Sequence, residues 1–253
     1  MSDEPYDYGE LVVLQHQDDV PLDALEPVLD GRSHDRAYRL VNLGHGKDLP
    51  ELTDRVRGVL VLGGSMGLPD EDRPAWIADE LTFLQSAVDR EIPVFGICLG
   101  SQLLAAALGG EVHRRDVPEV GFYALERTLG AQEDEVFAGW PAGGGVFLVH
   151  EDEVTKLPDG AVVMLEGSDG VAAWRAADGR SYGVQFHPEV TATTLETWIA
   201  KDRLKRMMHA AKRDEAALLE EFKQREPFLK AAGVAMVGRW IDGVVGADDP
   251  VRR

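Results

Sequence analysis

One stretch, Ile92 to Gly110 (IPVFGICLGSQLLAAALGG), leaves this chain few choices of fold. Pro93 opens a short apolar run, Val94-Phe95-Gly96-Ile97, whose β-branched and aromatic content suits a buried parallel strand. Cys98 follows at once. Leu99-Gly100-Ser101-Gln102 then leads into Leu103-Leu104-Ala105-Ala106-Ala107-Leu108, strong helix formers closed by Gly109-Gly110. The succession predicts a βα unit with the cysteine at its turn.

Gly96 and Gly100 flank Cys98 at two residues on each side, the spacing of the Gly-x-Ser-x-Gly nucleophile elbow with sulfur in place of oxygen. The reason is steric: a sharp strand-to-helix turn strains the nucleophile's backbone, and larger neighbours would collide there. Such a turn also sets the sulfur at a helix N-terminus, where N–H groups and the helix dipole favour an anion. A lone cysteine is more often a buried core residue; the glycine bracket shifts this one toward chemistry.

A cysteine nucleophile needs a base, and the base needs a group to orient it. Ser181-Tyr182-Gly183-Val184-Gln185-Phe186 reads as a second buried strand and runs into His187-Pro188-Glu189. Pro188 stops the ladder, so His187 falls at a strand terminus with Glu189 just beyond. Ligands of parallel sheets bind outside the carboxyl ends of the strands, so Cys98 and His187 are expected to share one edge. Alone, His187 would read as a hydrogen-bonded strand-end residue; the combination argues otherwise.

At these positions the sequence resembles a family. Gly96-Ile97-Cys98-Leu99-Gly100-Ser101-Gln102 and Gly183-Val184-Gln185-Phe186-His187-Pro188-Glu189 resemble the two signatures of class I glutamine amidotransferases, without substitution at the chemical positions. The resemblance spans about Leu11 to Trp198 and is nearest to stand-alone domains similar to the glutaminase part of GMP synthase. It implies an α/β fold with a mostly parallel central sheet flanked by helices. It also implies a Cys98-His187-Glu189 triad that hydrolyses the side-chain amide of glutamine through a thioester, with Glu189 orienting the imidazole.

Gly58-Val59-Leu60-Val61-Leu62 reads as another strand and enters Gly63-Gly64-Ser65-Met66-Gly67. Paired glycines after a strand make a tight turn or expose N–H groups to an anion. The resemblance assigns them the oxyanion loop, with the N–H groups of Gly64 and Leu99 facing the tetrahedral intermediate and Ser65 and Met66 in the pocket wall. It also implies substrate contacts at Gln102, His150 and Glu151. Val146 to Val149 reads as a strand ending at His150-Glu151-Asp152-Glu153, where the family often has Ser-His-Gly-Asp. His150 and Asp152 match, while Val149 and Glu151 replace small residues. Glu151 either narrows the pocket or repels the α-carboxylate of free glutamine, favouring a γ-glutamyl amide or another carboxamide, or it points into solvent.

The remaining elements fill in the alternation. Leu11 to Leu14 and Ala37 to Asn42 read as strands, Pro21 to Leu29 as a helix, and Gly44-His45-Gly46 as a turn with a solvated His45. Trp76, Ile77, Leu81, Phe83, Leu84 and Val88 form a helical stripe behind Pro74 and the acidic loop Asp70-Glu71-Asp72, taken as solvated. Glu111 to Leu129 reads as strands over one face, and Gln132 to Trp140 as a loop with a helical turn. Gly167-Ser168-Asp169-Gly170 reads as a β-turn, and Thr191 to Ala200 as a helix. An acidic arm (1–10), a catalytic domain (11–200) and a helical extension (201–253) follow. In the extension Pro227 is expected to separate two helices, and Asp248 to Arg253 to fray. Its apolar positions serve core packing, a homodimer contact or docking of a synthase partner.

Charge and composition bound the partners. With 26 Lys and Arg against 45 Asp and Glu, the net charge of −19 repels phosphate backbones and anionic lipid, which argues against nucleic-acid and membrane partners. A single cysteine excludes an intrachain disulfide and a multi-thiolate metal site, and no metal or cofactor is expected. Residues 1–10 lack the features of a signal peptide, and no apolar run nears the roughly 20 residues of a span, so a cytoplasmic location is expected. No phosphate-binding Gly-x-x-x-x-Gly-Lys motif or dinucleotide fingerprint occurs. Three readings therefore stand: a stand-alone hydrolase of another γ-glutamyl amide, a non-catalytic regulatory protein of the same fold, and a glutaminase delivering ammonia to a separate synthase subunit.

Overall fold

Period-two alternation along the parallel strands decides the layers of this protein, whose computed structural model describes residues 9–31, 38–141, 145–167 and 170–245. The chain runs through β1 (Glu10–Gln15), α1 (Glu26–Gly31), β2 (Tyr38–Asn42), β3 (Val56–Val61), α2 (Trp76–Asp89), β4 (Val94–Ile97) and α3 (Leu99–Ala107). It continues through β5 (Glu111–Ala124), β6 (Glu126–Arg127), α4 (Leu129–Glu133), β7 (Gly145–Lys156), β8 (Val162–Gly167), β9 (Gly170–Arg175) and β10 (Tyr182–Val184). The last helices are α5 (Ala192–Ile199), α6 (Asp202–Ala210) and α7 (Glu215–Arg239).

Eight strands form one sheet in the order β2-β1-β3-β4-β10-β9-β8-β6, parallel from β2 to β10 and antiparallel beyond it. Val13, Leu60 and Phe95 project into one apolar cluster, with Leu25 and Val28 of the first helical segment and Met236 and Trp240 at the C-terminal end. Val12, Leu14, Val59, Val61 and Val94 project into the other, under Ile77 and Leu84 of α2 and Leu103 and Leu104 of α3. Fully burying each such side chain stabilises the fold by about 1.5–3 kcal/mol, which holds both helical layers on the sheet.

β5 and β7 form a separate antiparallel ribbon. β7 extends through His150, Glu151, Asp152 and Glu153, where the sequence suggested a strand end. The acidic run stays in the ladder because arginines on β5 answer it: Arg114 pairs with Asp152 and Arg115 with Glu153. Asp70 is likewise engaged rather than merely solvated, accepting from Gly67 N at 3.0 Å and from Arg114 at 2.7 Å.

α7 runs unbroken through Pro227, contrary to the expected break. Pro227 is exposed, while Leu218, Phe222, Leu229 and Met236 on the same helix are buried in the first cluster. Packing on both sides of the proline outweighs its local cost of about 3 kcal/mol, and the ring sits on the solvent face where curvature is easily absorbed. A π-helical turn, Trp240–Val245, follows and places Trp240 against Phe95 at 5.4 Å between ring centroids. Helices α6 and α7 thus share the core with the sheet. The acidic arm up to residue 8, Ser168, Asp169 and the segment from residue 246 lie outside the described residues.

Candidate functional site

The site is built at the carboxyl ends of β3, β4 and β10. Cys98 follows β4 directly and has φ 51° and ψ −105°, a region that residues with a Cβ rarely occupy. Its N–H donates to Val184 O at 2.8 Å, extending the β4–β10 ladder by one rung. The flanking glycines are required by close approach. A Cβ on Gly96 would lie 2.4 Å from Gly100 O, and one on Gly100 would lie 2.3 Å from Val61 O. Only bare backbone lets the first turn of α3 seat on β3 and β4 behind the cysteine.

His187 lies three residues beyond Val184, the Cα partner of Ile97 across the β4–β10 pair. Its Nδ1 is 2.7 Å from Glu189 Oε1, and both side chains are buried. With Nδ1–H donating to the carboxylate, Nε2 is the nitrogen left for the Cys98 sulfur, whose charge acts on the ring. Burial alone would lower the imidazole pKa; the charges of Glu189 and Cys98 outweigh it and hold His187 well above its ordinary value. Glu189 Oε2 has no partner among the described residues, so His187 is the only hydrogen-bond partner they give this carboxylate. The Trp198 ring stands edge-on to the imidazole at 5.1 Å and limits its rotation.

Gly63 and Gly64 leave β3 beside this pair. A Cβ on Gly63 would lie 3.2 Å from His187 Cε1 and 3.7 Å from Cys98 Cβ. Leu99 opens α3, so its N–H has no partner one turn back. Gly64, Ser65, Met66, Cys98 and His187 line one cavity of about 100 Å³. A cysteine at a helix N-terminus, an imidazole with raised pKa, a carboxylate hydrogen-bonded to it and N–H groups on adjacent backbone are the kinds of group that acyl transfer uses.

The three residues expected to contact substrate all line this cavity. Gln102 directs Nε2 to Asp152 O at 2.8 Å and to Gln185 Oε1 at 3.2 Å, so its amide N–H groups tie β7 to the residue that follows β10. His150 is buried, with Nδ1 at 2.9 Å from Asp152 O and Nε2 at 2.8 Å from Glu119 Oε2. Glu151 lies at the rim, where Oε1 accepts from Arg203 at 2.8 Å and stands 3.6 Å from Arg114. Met207, Leu204, Arg203 and Lys201 complete the wall, so α6 and the residue before it belong to the site.

Several neighbours of the site have places that the motifs do not assign. Arg203 lies beyond both signatures, and Gln185, inside the second, places Nε2 3.5 Å from Cys98 Sγ. His16 and Glu80 form a fully buried pair beneath the glycine loop, 3.0 Å apart. The signal for Glu80 was present: a carboxylate three residues after Ile77 and four before Leu84 interrupts the apolar stripe of α2. Among the described residues no group of three or more His, Cys, Asp or Glu is disposed to hold a metal ion, and no helix is long and apolar enough to cross a membrane.

Known proteins share this architecture. The family model of the class-I glutamine amidotransferases matches residues 37–207. A GMP synthase (glutamine-hydrolysing) of Thermus thermophilus is 36% identical over 180 residues, covering 71% of this chain and 33% of that enzyme. A single subunit of the glutamine-hydrolysing GMP synthase of Methanocaldococcus jannaschii is 34% identical over 153 residues, 60% of this chain and 74% of that one. The chain thus spans about a third of the full-length synthase and most of the separate subunit. Among solved structures, a glutamine amidotransferase from Thermotoga maritima superposes with a TM-score of 0.80 at 26% identity, over 93% of this chain and 99% of that one.

Proposed function

This chain belongs to the class-I glutamine amidotransferase family, and we propose that it hydrolyses the side-chain amide of glutamine at Cys98, releasing glutamate and ammonia. The observation that carries this reading is the strained Cys98 at the end of β4 with the His187–Glu189 pair, 2.7 Å apart, at the end of the adjacent strand.

In this mechanism the Cys98 thiolate bonds to the amide carbon and the carbonyl oxygen takes up the electron pair. The N–H groups of Gly64 and Leu99 stabilise that oxyanion; one such donor typically contributes about 3–4 kcal/mol. The His187 imidazolium gives its proton to the amide nitrogen, the C–N bond breaks, and ammonia leaves a thioester on Cys98. A water then attacks the thioester carbon and passes its proton to His187. The C–S bond breaks, giving glutamate and the thiolate. Glu189 holds the imidazole in the tautomer and orientation both half-reactions need.

The acceptor of the ammonia belongs to another chain in this reading, which the separate subunit from Methanocaldococcus jannaschii supports. A second substrate reading is favoured by Glu151: a carboxylate at the rim suits a carboxamide that lacks the α-carboxylate of glutamine. The deciding experiment is ammonia and glutamate release from L-glutamine by the purified chain, with Cys98→Ala as the blank and a panel of γ-glutamyl amides and of carboxamides without an α-carboxylate alongside. Cys98-dependent glutamate release establishes the first reading; turnover confined to another amide establishes the second.

A further inference from the structure

The peptide that joins Gly63 to Gly64 is gripped from behind. Gly63 O lies 2.9 Å from Nδ1 of His16, at the end of β1, and a carbonyl can only accept, so Nδ1 carries the proton. The opposite ring nitrogen, Nε2, lies 3.0 and 3.2 Å from the two oxygens of Glu80. Both side chains have no exposure to solvent, and the Trp76 ring stacks on the imidazole at 5.4 Å with planes 7° apart. Burial alone would lower the pKa of His16; the Glu80 charge and the hydrogen bonds outweigh it, and the ring is raised above its ordinary value.

No described peptide bond is cis, so the N–H of Gly64 points opposite to the C=O of Gly63. Since that oxygen faces His16, the N–H faces away from it, and Gly64 lines the cavity with Cys98. We infer that the buried His16–Glu80 pair is a positioning device that fixes the Gly63–Gly64 peptide with its N–H aimed at the reacting carbonyl oxygen. The inference rests on the hydrolytic reading above for its chemistry, and on the hydrogen bonds alone for its geometry.

Two effects reinforce each other. Turning the peptide over would break the bond to His16 and leave a buried donor and a buried carbonyl without partners, which fixes one orientation. A proton on the carbonyl side also polarises the amide, so its N–H donates more strongly to a developing negative charge. Glu80 supplies the charge that keeps the ring in this role, and Trp76 fixes its plane. None of the three touches substrate.

The test compares the full-length chain with His16→Leu, which removes the donor but fills the space, and His16→Asn, whose side-chain N–H₂ can reach the position of Nδ1. Three readouts are taken: steady-state amide hydrolysis, iodoacetamide alkylation of Cys98, and the amide NMR shift of Gly64. His16→Leu is expected to lower kcat about a hundredfold or more, with KM within a few-fold, alkylation as in the unsubstituted chain, and a displaced Gly64 signal. His16→Asn restores most of both. A Gly64 signal unmoved in His16→Leu, or parallel loss of turnover and alkylation, would overturn the inference. If the unsubstituted chain turns over no amide, the hydrolytic reading fails, while the Gly64 shift still decides the role of His16.

Discussion

Ile97 and Val184 are Cα partners in the adjacent parallel strands β4 and β10, and the next N–H along, that of Cys98, donates to Val184 O at 2.8 Å. Cys98 and His187 are therefore carried just past the carboxyl ends of neighbouring strands, which backbone hydrogen bonding holds about 4.8 Å apart. Their separation is a property of the sheet, and perturbations of the elbow and of the sheet edge should have different consequences.

The first concerns strain. Cys98 holds a backbone conformation that costs about 1–3 kcal/mol for a residue with a Cβ. Cys98→Ala and Cys98→Gly both remove the sulfur, but only glycine relaxes the φ of 51°. Urea denaturation should find the glycine variant more stable than the alanine variant by about 1 kcal/mol or more, the reverse of the usual order in ordinary helices. Both should lose amide hydrolysis entirely. An alanine variant as stable as the glycine one would mean that the elbow stores no strain.

The glycines beside it should behave differently. The Cβ of Gly96→Ala would lie 2.4 Å from Gly100 O, and that of Gly100→Ala 2.3 Å from Val61 O, both backbone atoms that cannot step aside. Each should lower stability by about 3 kcal/mol or prevent folding. For Gly64→Ala the nearest obstacle is the tip of Leu99 at 2.6 Å, which can turn. That variant should fold, with thermal melting within a few degrees, and lose turnover. Equal melting losses at all three positions would contradict this ranking.

Much of this was legible in the sequence because the elbow is local: strand, glycine, cysteine, glycine and helix all lie within the β4–α3 segment. The parallel part of the sheet was legible for a similar reason, as β-branched runs followed by helical stripes. What escaped depends on partners far away in the chain. His16 and Glu80 are 64 residues apart and meet only when α2 docks on the sheet. The acidic run at Glu151 to Glu153 read as the end of a strand, and only Arg114 and Arg115 of β5 across the ribbon show why the ladder continues through it. Pro227 looked like a stop, and only the buried residues on either side of it show why α7 continues.

The His187–Glu189 pair should leave a pH signature. Folding raises the His187 pKa above its ordinary value of 6.5, so the folded state binds more protons than the unfolded state in the interval between the two. The stabilisation is present in full below about 6.5 and is lost as pH rises through the raised value. Glu189→Gln removes the carboxylate charge that holds the proton. Unfolding free energies measured across pH 5.5 to about 9 should therefore fall less steeply for Glu189→Gln than for the unsubstituted chain. Parallel curves would show that Glu189 does not hold the charge.

At the rim, Arg203 and Glu151 neutralise each other at 2.8 Å in a pair that is 30% and 24% exposed, within the pocket wall. Arg203→Ala takes away the closest cation to that carboxylate and leaves Arg114 at 3.6 Å as its remaining partner. A substrate bearing an α-carboxylate then meets a more negative rim. An exposed ion pair is worth up to about 1 kcal/mol, so KM for L-glutamine should rise about fivefold, with kcat affected much less. Glu151→Gln should act in the opposite direction by uncovering the guanidinium. Both effects should shrink at high salt, where the Debye length falls to about 3 Å at 1 M, and both should vanish for an amide without a carboxylate. Steady-state kinetics of the two variants on charged and uncharged amides make the measurement. A change in kcat of equal size would place Arg203 with the reacting groups instead of at the entrance, and an effect indifferent to substrate charge would make the wall's shape, not its electrostatics, the source of selectivity.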